Sequence, residues 1–189
     1  MDYVSGEELL ARYAAGERDF TGLQLEGCGY TLFSGANFSG AELTGNSFIG
    51  ANFTGSNLER ADIDATDLRE ANFTEAILRG ANIEGIDMVG AIFDRADWTG
   101  AHGGEISFHE ISGIGANFTD ARLWQSGFHR SNLTGANFTN AILEGTSFDD
   151  ANLTDAIFLG AIGFDHRGAL FSNTTMPDGS IRNDGIDRS

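Results

Sequence analysis

Large apolar residues recur at every fifth position through most of this chain. Counted from Ala36, the third residue of each pentapeptide is large and apolar in 23 of 25 consecutive repeats, and only Gly103 and Gly113 interrupt the series. The first residue is alanine in 16 of the 25 repeats, and mostly polar residues separate the two columns. Since this period matches neither a helix nor a simple strand, it predicts a chain that turns in every pentapeptide, with its first and third residues facing inward.

A second period, of 20 residues, indicates that four pentapeptides close one coil. The first position of every fourth pentapeptide from Asn46 to Thr146 is never alanine, whereas the series from Ala41 to Ala161 is always alanine. Two sides of the coil therefore follow different rules. Successive coils are expected to pair as short parallel strands about 4.8 Å apart. A single coil buries too little apolar surface to offset the entropy of ordering it, so stability must come from stacking many coils.

Repeats such as ANFTG at residues 51–55 resemble those of the pentapeptide repeat protein family. The resemblance covers residues 31–164 and implies an all-β fold, a right-handed quadrilateral β-helix. The handedness is implied by the resemblance and not by the period. Residues 169–179 are similar to the ending of many cyanobacterial members. A more distant similarity is to the gyrase-interacting quinolone-resistance pentapeptide proteins.

The large third-position residues are expected to form the core of this β-helix. Seven phenylalanines represent them, namely Phe38, Phe53, Phe73, Phe93, Phe118, Phe138 and Phe158. Two core side chains are missing at Gly103 and Gly113, within the irregular stretch 101–115, which can be a regular coil or a loop. Three isoleucines are expected to repack inward there, namely Ile106, Ile111 and Ile114.

Residues 1–30 are predicted to form an N-terminal cap and a transition into the coils at 31–164. Ser5 and Glu8 have the spacing of a capping box, which predicts a helix at about residues 6–15 over the first coil. The transition supplies four expected core members, namely Phe20, Leu23, Leu25 and Cys28.

Residues 165–189 are predicted to form a C-terminal cap and a flexible tail. Met176 to Gly179 contains the proline, aspartate and glycine of a turn signal. The chain is expected to be disordered from Asn183 onward.

The net charge of −17, from 28 acidic and 11 basic residues, restricts the partners of the chain. Direct binding to nucleic acid or to a membrane surface is not expected, since both are polyanions. The N-terminus has no signal peptide pattern and no apolar run approaches a membrane span. The single cysteine, Cys28, fits a reducing compartment. We expect a cytoplasmic protein without cofactors, and a monomer in preference to a dimer.

The acidic residues concentrate on two adjacent sides of the predicted coil. The Ala41 side consists of the pentapeptides that begin at residue 41 and every 20 residues after it, and Asp165 is assigned to it. The Asn46 side begins five residues later. The acidic flank on these sides is the candidate interaction surface, and its residues are Glu42, Asp62, Asp64, Asp67, Glu70, Glu84 and Asp87. Five apolar residues are expected to protrude from the two less acidic sides: Ile77, Ile92, Ile142, Ile157 and Trp124.

Three functions compete, and none of them is enzymatic, because a filled rod offers no pocket for catalytic groups. The first is a non-catalytic scaffold or interaction module that binds a protein through the acidic flank. The second, implied by the resemblance, is mimicry of DNA toward gyrase or another topoisomerase. The third is a metal or small-ligand site at His109 and His129, which are 20 residues apart and followed by Asp149. The simpler interpretation of this histidine column is a solvated surface ladder.

Overall fold

The computed structural model describes residues 3–21, 24–26 and 33–186. Leu23 and Cys28, two of the predicted core members, lie outside these residues, and only the backbone of Leu25 is described. Phe20, the remaining core member predicted in the transition, is fully buried.

Four ladders of parallel bridges connect the described coils. Between residues 37 and 162 the bridged partners are 20 residues apart, and the ladders begin with the pairs Asn37–Asn57, Glu42–Asp62, Ser47–Asp67 and Asn52–Asn72. The backbone amide of one coil donates to a carbonyl of the next, as Phe118 N does to Asn137 O at 2.7 Å. One coil therefore takes four pentapeptides, as the 20-residue period predicted.

Each corner of the coil is a turn whose fifth residue has a positive φ. Glycine is common there, as at Gly90 with φ of 71°, yet Glu70 holds φ of 59°. A short polar side chain at the second position supports the corner, because Asn52 Oδ1 accepts a hydrogen bond from Thr54 N at 2.9 Å. This local bond explains why asparagine and aspartate recur at the second position.

Third-position side chains fill the interior of the coils. All seven predicted core phenylalanines are at most 1 % exposed. Rings in one column stack, with centroids 4.7 Å apart for Phe118 and Phe138 and 4.9 Å apart for Phe138 and Phe158. Rings of adjacent columns meet edge to face, as Phe128 and Phe138 do at 85°. The core thus combines stacks of aromatic rings with aliphatic third-position side chains, and alanines border it.

On the Asn46 side, two threonines at the first position donate hydrogen bonds from their hydroxyl groups. Thr66 Oγ1 donates to the Leu43 carbonyl at 3.2 Å, and the Thr146 hydroxyl donates to the Leu123 carbonyl. Alanine could not make these hydrogen bonds, which explains the two threonines of the series. Ile86 and Ile106 occupy the same position as buried apolar side chains.

Residues 101–115 form a regular coil despite the missing side chains at Gly103 and Gly113. Here β3 (His102–Gly104) pairs in parallel with β4 (Arg122–Trp124), and the neighbouring ladders continue. A Cβ on Gly113 would lie 2.6 Å from the Phe93 ring, so that ring occupies the space. Ile106 and Ile111 are buried as expected. The prediction that Ile114 repacks inward is wrong: this fourth-position residue lies at an outward-facing corner and is 41 % exposed.

The N-terminal segment forms a strand and the predicted short helix. β1 (Tyr3–Ser5) pairs in parallel with β2 (Gln24–Glu26), and α1 (Gly6–Ala14) follows β1 directly. Ser5 Oγ accepts a hydrogen bond from Glu8 N at 3.1 Å, which caps the helix. The helix packs on the coils through buried Leu9 and through Tyr13, whose hydroxyl donates to Ser39 O at 2.9 Å. Within the described residues, no helix has the length and apolar character that crossing a bilayer requires.

The C-terminal segment folds back on the last coil. β5 (Leu170–Phe171) pairs antiparallel with β8 (Gly185–Ile186), and β6 (Thr174–Thr175) pairs antiparallel with β7 (Ile181–Arg182). The predicted turn lies between β6 and β7, where Met176 N donates to Ser180 O at 2.8 Å. Strand β8 corrects the expectation of disorder from Asn183, because its ladder bonds hold Gly185 and Ile186 against β5.

Candidate interaction surface

The ladders fix the side of the coil on which each carboxylate lies. Up to Ile162 the sides agree with those assigned from the sequence. The next bridge joins Asp165 to Ser147, a spacing of 18 residues. The assignment of Asp165 to the Ala41 side was therefore wrong, because the coil shortens by two residues there. Asp165 lies on the Asn46 side and forms an ion pair with Arg167.

The Ala41 side carries a group of carboxylates without arginine partners. Arg122 is the only arginine of its pentapeptides. Among the described residues, no ion pair within 4.0 Å involves any of its six acidic residues, which are Glu42, Asp62, Asp64, Glu84, Glu105 and Glu144. Glu42 and Asp62 are direct bridge partners on adjacent coils. Like charges in this arrangement repel each other, so this side holds concentrated, uncompensated negative charge.

Neutral donors fix two of these six carboxylates in place. Asp62 Oδ1 accepts hydrogen bonds from Asn82 Nδ2 at 3.0 Å and from Thr44 Oγ1 at 3.2 Å. Glu84 Oε2 accepts a hydrogen bond from Gly104 N at 2.7 Å. These bonds orient the carboxylates without cancelling their charge.

The Asn46 side is acidic too, but arginines neutralise part of it. Arg69 lies 2.6 Å from Asp67 and 3.8 Å from Asp87, and its hydrogen bond to Asp67 lowers the pKa of that carboxyl. Arg130 pairs with Glu110 at 3.0 Å. The predicted acidic flank therefore divides: Asp67 and Asp87 are paired, and the residues of the Ala41 side are not.

Each of the other two sides also has an ion pair between arginine and a carboxylate. Arg79 lies 2.6 Å from Asp97, and Arg95 lies 2.8 Å from Glu75. Both pairs join adjacent coils. The distribution of arginine partners thus distinguishes the Ala41 side more clearly than the count of acidic residues does.

Trp124 belongs to the acidic Ala41 side, in contrast to the expectation that it protrudes from a less acidic side. It is the fourth residue of the pentapeptide 121–125 and is 36 % exposed. Ile142 follows on the same side, one coil later, as the bridge partner of Arg122. The repeat frame contained the signal for both positions, because Trp124 lies 80 residues after Thr44 and Ile142 lies 100 residues after Glu42, two residues of the Ala41 side.

The histidine column forms a close pair of rings. The His109 and His129 centroids are 4.7 Å apart, and His129 Nδ1 lies 3.6 Å from Asp149 Oδ2. The described residues contain no group of three or more histidine, cysteine, aspartate or glutamate side chains placed to hold a metal ion. Burial lowers the pKa of His109, and the neighbouring His129 lowers it further.

His109 is expected to titrate below its ordinary pKa of 6.5. The unfolded chain then binds this proton at a higher pH than the folded chain, so the stability due to neutral His109 is complete above about pH 6.5 and declines as the pH falls through the folded pKa. NMR titration of the imidazole resonances measures this pKa. The variant His109→Asn should lose that part of the pH dependence of unfolding. A midpoint at or above 6.5 would contradict the expectation.

The openings that border the described residues are surface grooves. One of about 450 Å³ lies at the C-terminal end, between Phe164, Met176, Pro177 and Ile181. Another of about 430 Å³ lies on the Ala41 side, beside Trp124.

Comparison with known proteins agrees with the repeat geometry. The family described as pentapeptide repeats matches more than half of the chain, at residues 29–60, 56–95, 114–148 and 131–162. The chain belongs to the pentapeptide repeat family. Membership implies a right-handed β-helix solenoid. A search of curated proteins gave no significant match.

Several solved structures are similar to this pentapeptide repeat protein. A pentapeptide repeat protein of the Arabidopsis thaliana thylakoid lumen is 34 % identical, with a TM-score of 0.51 over 52 % of this chain and 69 % of its own. HetL of the cyanobacterium Nostoc, involved in the regulation of heterocyst differentiation, is 24 % identical over 95 % of this chain and 100 % of its own, with a TM-score of 0.25. QnrB1, a plasmid-mediated fluoroquinolone resistance protein, is 20 % identical over 79 % of this chain and 82 % of its own, with a TM-score of 0.40.

Proposed function

We propose that this protein is a non-catalytic interaction module that binds a basic surface of another protein through the Ala41 side. One observation carries the proposal: among the described residues none of the six carboxylates of that side has an arginine partner, while each of the other sides has at least one carboxylate paired with arginine. Membership in a family of repeat solenoids supports it, since stacked coils present extended and rigid surfaces.

The energetics of the Ala41 side favour a basic partner. Like charges on bridge partners, such as Glu42 and Asp62, destabilise the free protein. Lysine or arginine side chains of a partner would relieve this repulsion and would be attracted over a distance of roughly 10 Å at moderate salt. Relief of the repulsion between these carboxylates therefore adds to the free energy of binding a basic partner.

Binding to polylysine is expected to depend on the Ala41 side rather than on net charge. The variant Glu42→Gln/Asp64→Asn/Glu105→Gln removes three unpaired carboxylates of that side. It should weaken binding of a 30-residue polylysine by about tenfold, since each exposed charge contributes roughly 0.5–1 kcal/mol. Isothermal titration calorimetry at low and moderate salt measures the change, and the difference should shrink as salt increases.

A matched variant separates position from charge. Glu70→Gln/Asp120→Asn/Asp150→Asn removes the same number of charges, and none of these residues forms an ion pair within the described part of the chain. We expect it to weaken polylysine binding by less than about threefold. Equal losses in both variants would show that only the net charge matters, and the proposal would fail.

The other predicted functions remain predictions. DNA mimicry toward gyrase is tested by titrating the protein into a supercoiling assay, where inhibition that decreases in the Ala41-side variant would support it. The metal-site alternative at His109 and His129 has two close imidazoles and lacks a third ligand among the described residues. The monomeric state and the cytoplasmic location stay predictions too.

A further inference from the structure

The Trp124 indole lies against a glycine of the preceding coil. Gly104, Trp124 and Glu144 occupy the same fourth position in three successive coils. Gly104 is buried, and a Cβ on it would overlap the Trp124 indole. The indole therefore covers the bare backbone of Gly104, and any other residue at position 104 would displace it.

Glu84 completes the support beneath the indole. Its Oε2 accepts a hydrogen bond from Gly104 N at 2.7 Å. This bond holds β3, against which the indole packs, to the preceding coil. Strands β3 and β4 pair here in continuous register, with Gly104 opposite Trp124. The position of the tryptophan thus depends on a set of contacts that spans three coils.

Trp124 also lines an open groove. This groove of about 430 Å³ is lined by Trp124, Gln125, Glu144 and Gly145. Gly145 contributes no side chain, and Glu144 is exposed and forms no ion pair within the described residues. An aromatic surface and a free carboxylate therefore face one opening on the most negative side of the rod.

Packing alone does not account for this arrangement. At the equivalent position two earlier coils carry Asp64 and Glu84, and the corners there form without an aromatic residue. A large aromatic residue that stays 36 % exposed gives up part of the burial energy that it would gain in the core. Exposed aromatic residues supported by a rigid backbone are typical anchors of protein interfaces.

We propose that Trp124 and Glu144 form a binding site for one arginine or lysine side chain of a partner protein. This inference rests on the proposed function and names its anchor. The cation lies against the indole, where the ring quadrupole attracts it, and it forms a charge-assisted hydrogen bond with Glu144. The surrounding carboxylates, Glu105 and Glu84, raise the local concentration of basic segments.

Two tryptophans make the test specific, because the chain contains only Trp98 and Trp124. Trp98 is fully buried in the core, so its indole N–H resonance serves as an internal control. The probe is the capped tripeptide Gly-Arg-Gly, followed by NMR, and the matched probe replaces arginine by neutral citrulline. We expect the arginine peptide to shift the Trp124 indole resonance saturably, with no shift for Trp98 and none with the citrulline peptide.

Variants assign the contacts. Glu144→Gln is expected to weaken binding of the arginine peptide by about threefold or more, while Glu70→Gln, on the Asn46 side, should change it by less than about 1.5-fold. Trp124→Leu should reduce binding by about fivefold, followed through the backbone amides of Gln125 and Gly145, and Trp124→Phe should retain part of it. Far-UV circular dichroism of each variant checks that the coils remain folded.

Three outcomes would overturn the inference: a Trp124 resonance that does not move, equal shifts with arginine and citrulline peptides, or equal effects of Glu144→Gln and Glu70→Gln. The polylysine experiment separates this failure from failure of the proposed function. If the three-charge variants of the Ala41 side still differ from their matched control, the acidic side binds basic partners without this anchor. If they do not differ while the tripeptide binds at Trp124, the Trp124–Glu144 site is supported and the proposed function of the whole Ala41 side fails.

Discussion

Replacing Phe138 by alanine is expected to lower the free energy of unfolding by about 3–5 kcal/mol. The Phe138 ring lies between Phe118 and Phe158, with its plane within 5° of both, and is fully buried. Its removal leaves a cavity in the middle of the aromatic stack. The coils on either side are held by backbone ladders to fixed positions, so they cannot close over the gap.

Urea unfolding followed by far-UV circular dichroism measures this loss. The control is Phe138→Leu, because the same column carries Leu78 three coils and Leu58 four coils closer to the N-terminus. Leucine fits that environment, and the change should lower the free energy of unfolding by about 1 kcal/mol. Equal losses for alanine and leucine would contradict the view that the cavity left by the ring causes the loss.

In the alanine variant, the coils before Phe138 and those after it can also unfold separately. In a stack of repeats each coil contacts only its neighbours, so a weakened interface near Phe138 can uncouple the coils after it from those before it. Trp98, two coils earlier, reports on the N-terminal part through its fluorescence. A fluorescence transition at higher urea than the circular dichroism transition would show this uncoupling.

The sequence predicted the coil well because each of its four sides repeats a local rule. The first and third positions had to be buried and the corners had to bend, and both requirements leave a mark in every pentapeptide. The C-terminal end was harder. Two residues drop out between Ile162 and Asp165. The bridges of Ser147 to Asp165, Asn152 to Leu170 and Ile157 to Thr175 show that the coil continues around the shortened corner. The antiparallel pairing of β8 depends on contacts between residues 14 and 16 positions apart, which no local pattern encodes.

The candidate site was predictable in its charge and less so in its pairing. Counting carboxylates per side identified the acidic flank, since ladder position follows from residue number. Whether Asp67 is neutralised and Asp64 is not depends on the conformation of one arginine side chain, Arg69, which periodicity does not determine. The tryptophan site was not predicted for another reason. Gly104 and Trp124 are 20 residues apart in sequence, and the contact between them is visible only in the stacked coils.

Replacing Gly103 by alanine is expected to lower the free energy of unfolding by about 3 kcal/mol, the upper end of the range for overpacked sites. A Cβ at this position would lie 2.5 Å from the Ile83 carbonyl carbon and 2.6 Å from Glu84 N. Both are backbone atoms, which cannot rotate away as a side chain can. To make room, the coil at 101–105 must separate from the preceding one, which weakens the bonds from Ile83 N to His102 O and from Gly85 N to Gly104 O.

Gly113→Ala is the matched control, because Gly113 has the same third position half a coil later. The three atoms nearest to a Cβ there belong to side chains, with the Phe93 ring at 2.6 Å and Leu133 at 3.1 Å. Those groups can shift, so we expect a loss of about 1 kcal/mol. Urea unfolding gives both values, and hydrogen exchange at Ile83 and Gly85 should accelerate in Gly103→Ala alone. Comparable losses in the two variants would mean that separating two coils costs no more free energy than moving the Phe93 ring. The spacing of the ladders would then be soft, and the rigid presentation of carboxylates on which the proposed binding surface depends would lose its physical basis.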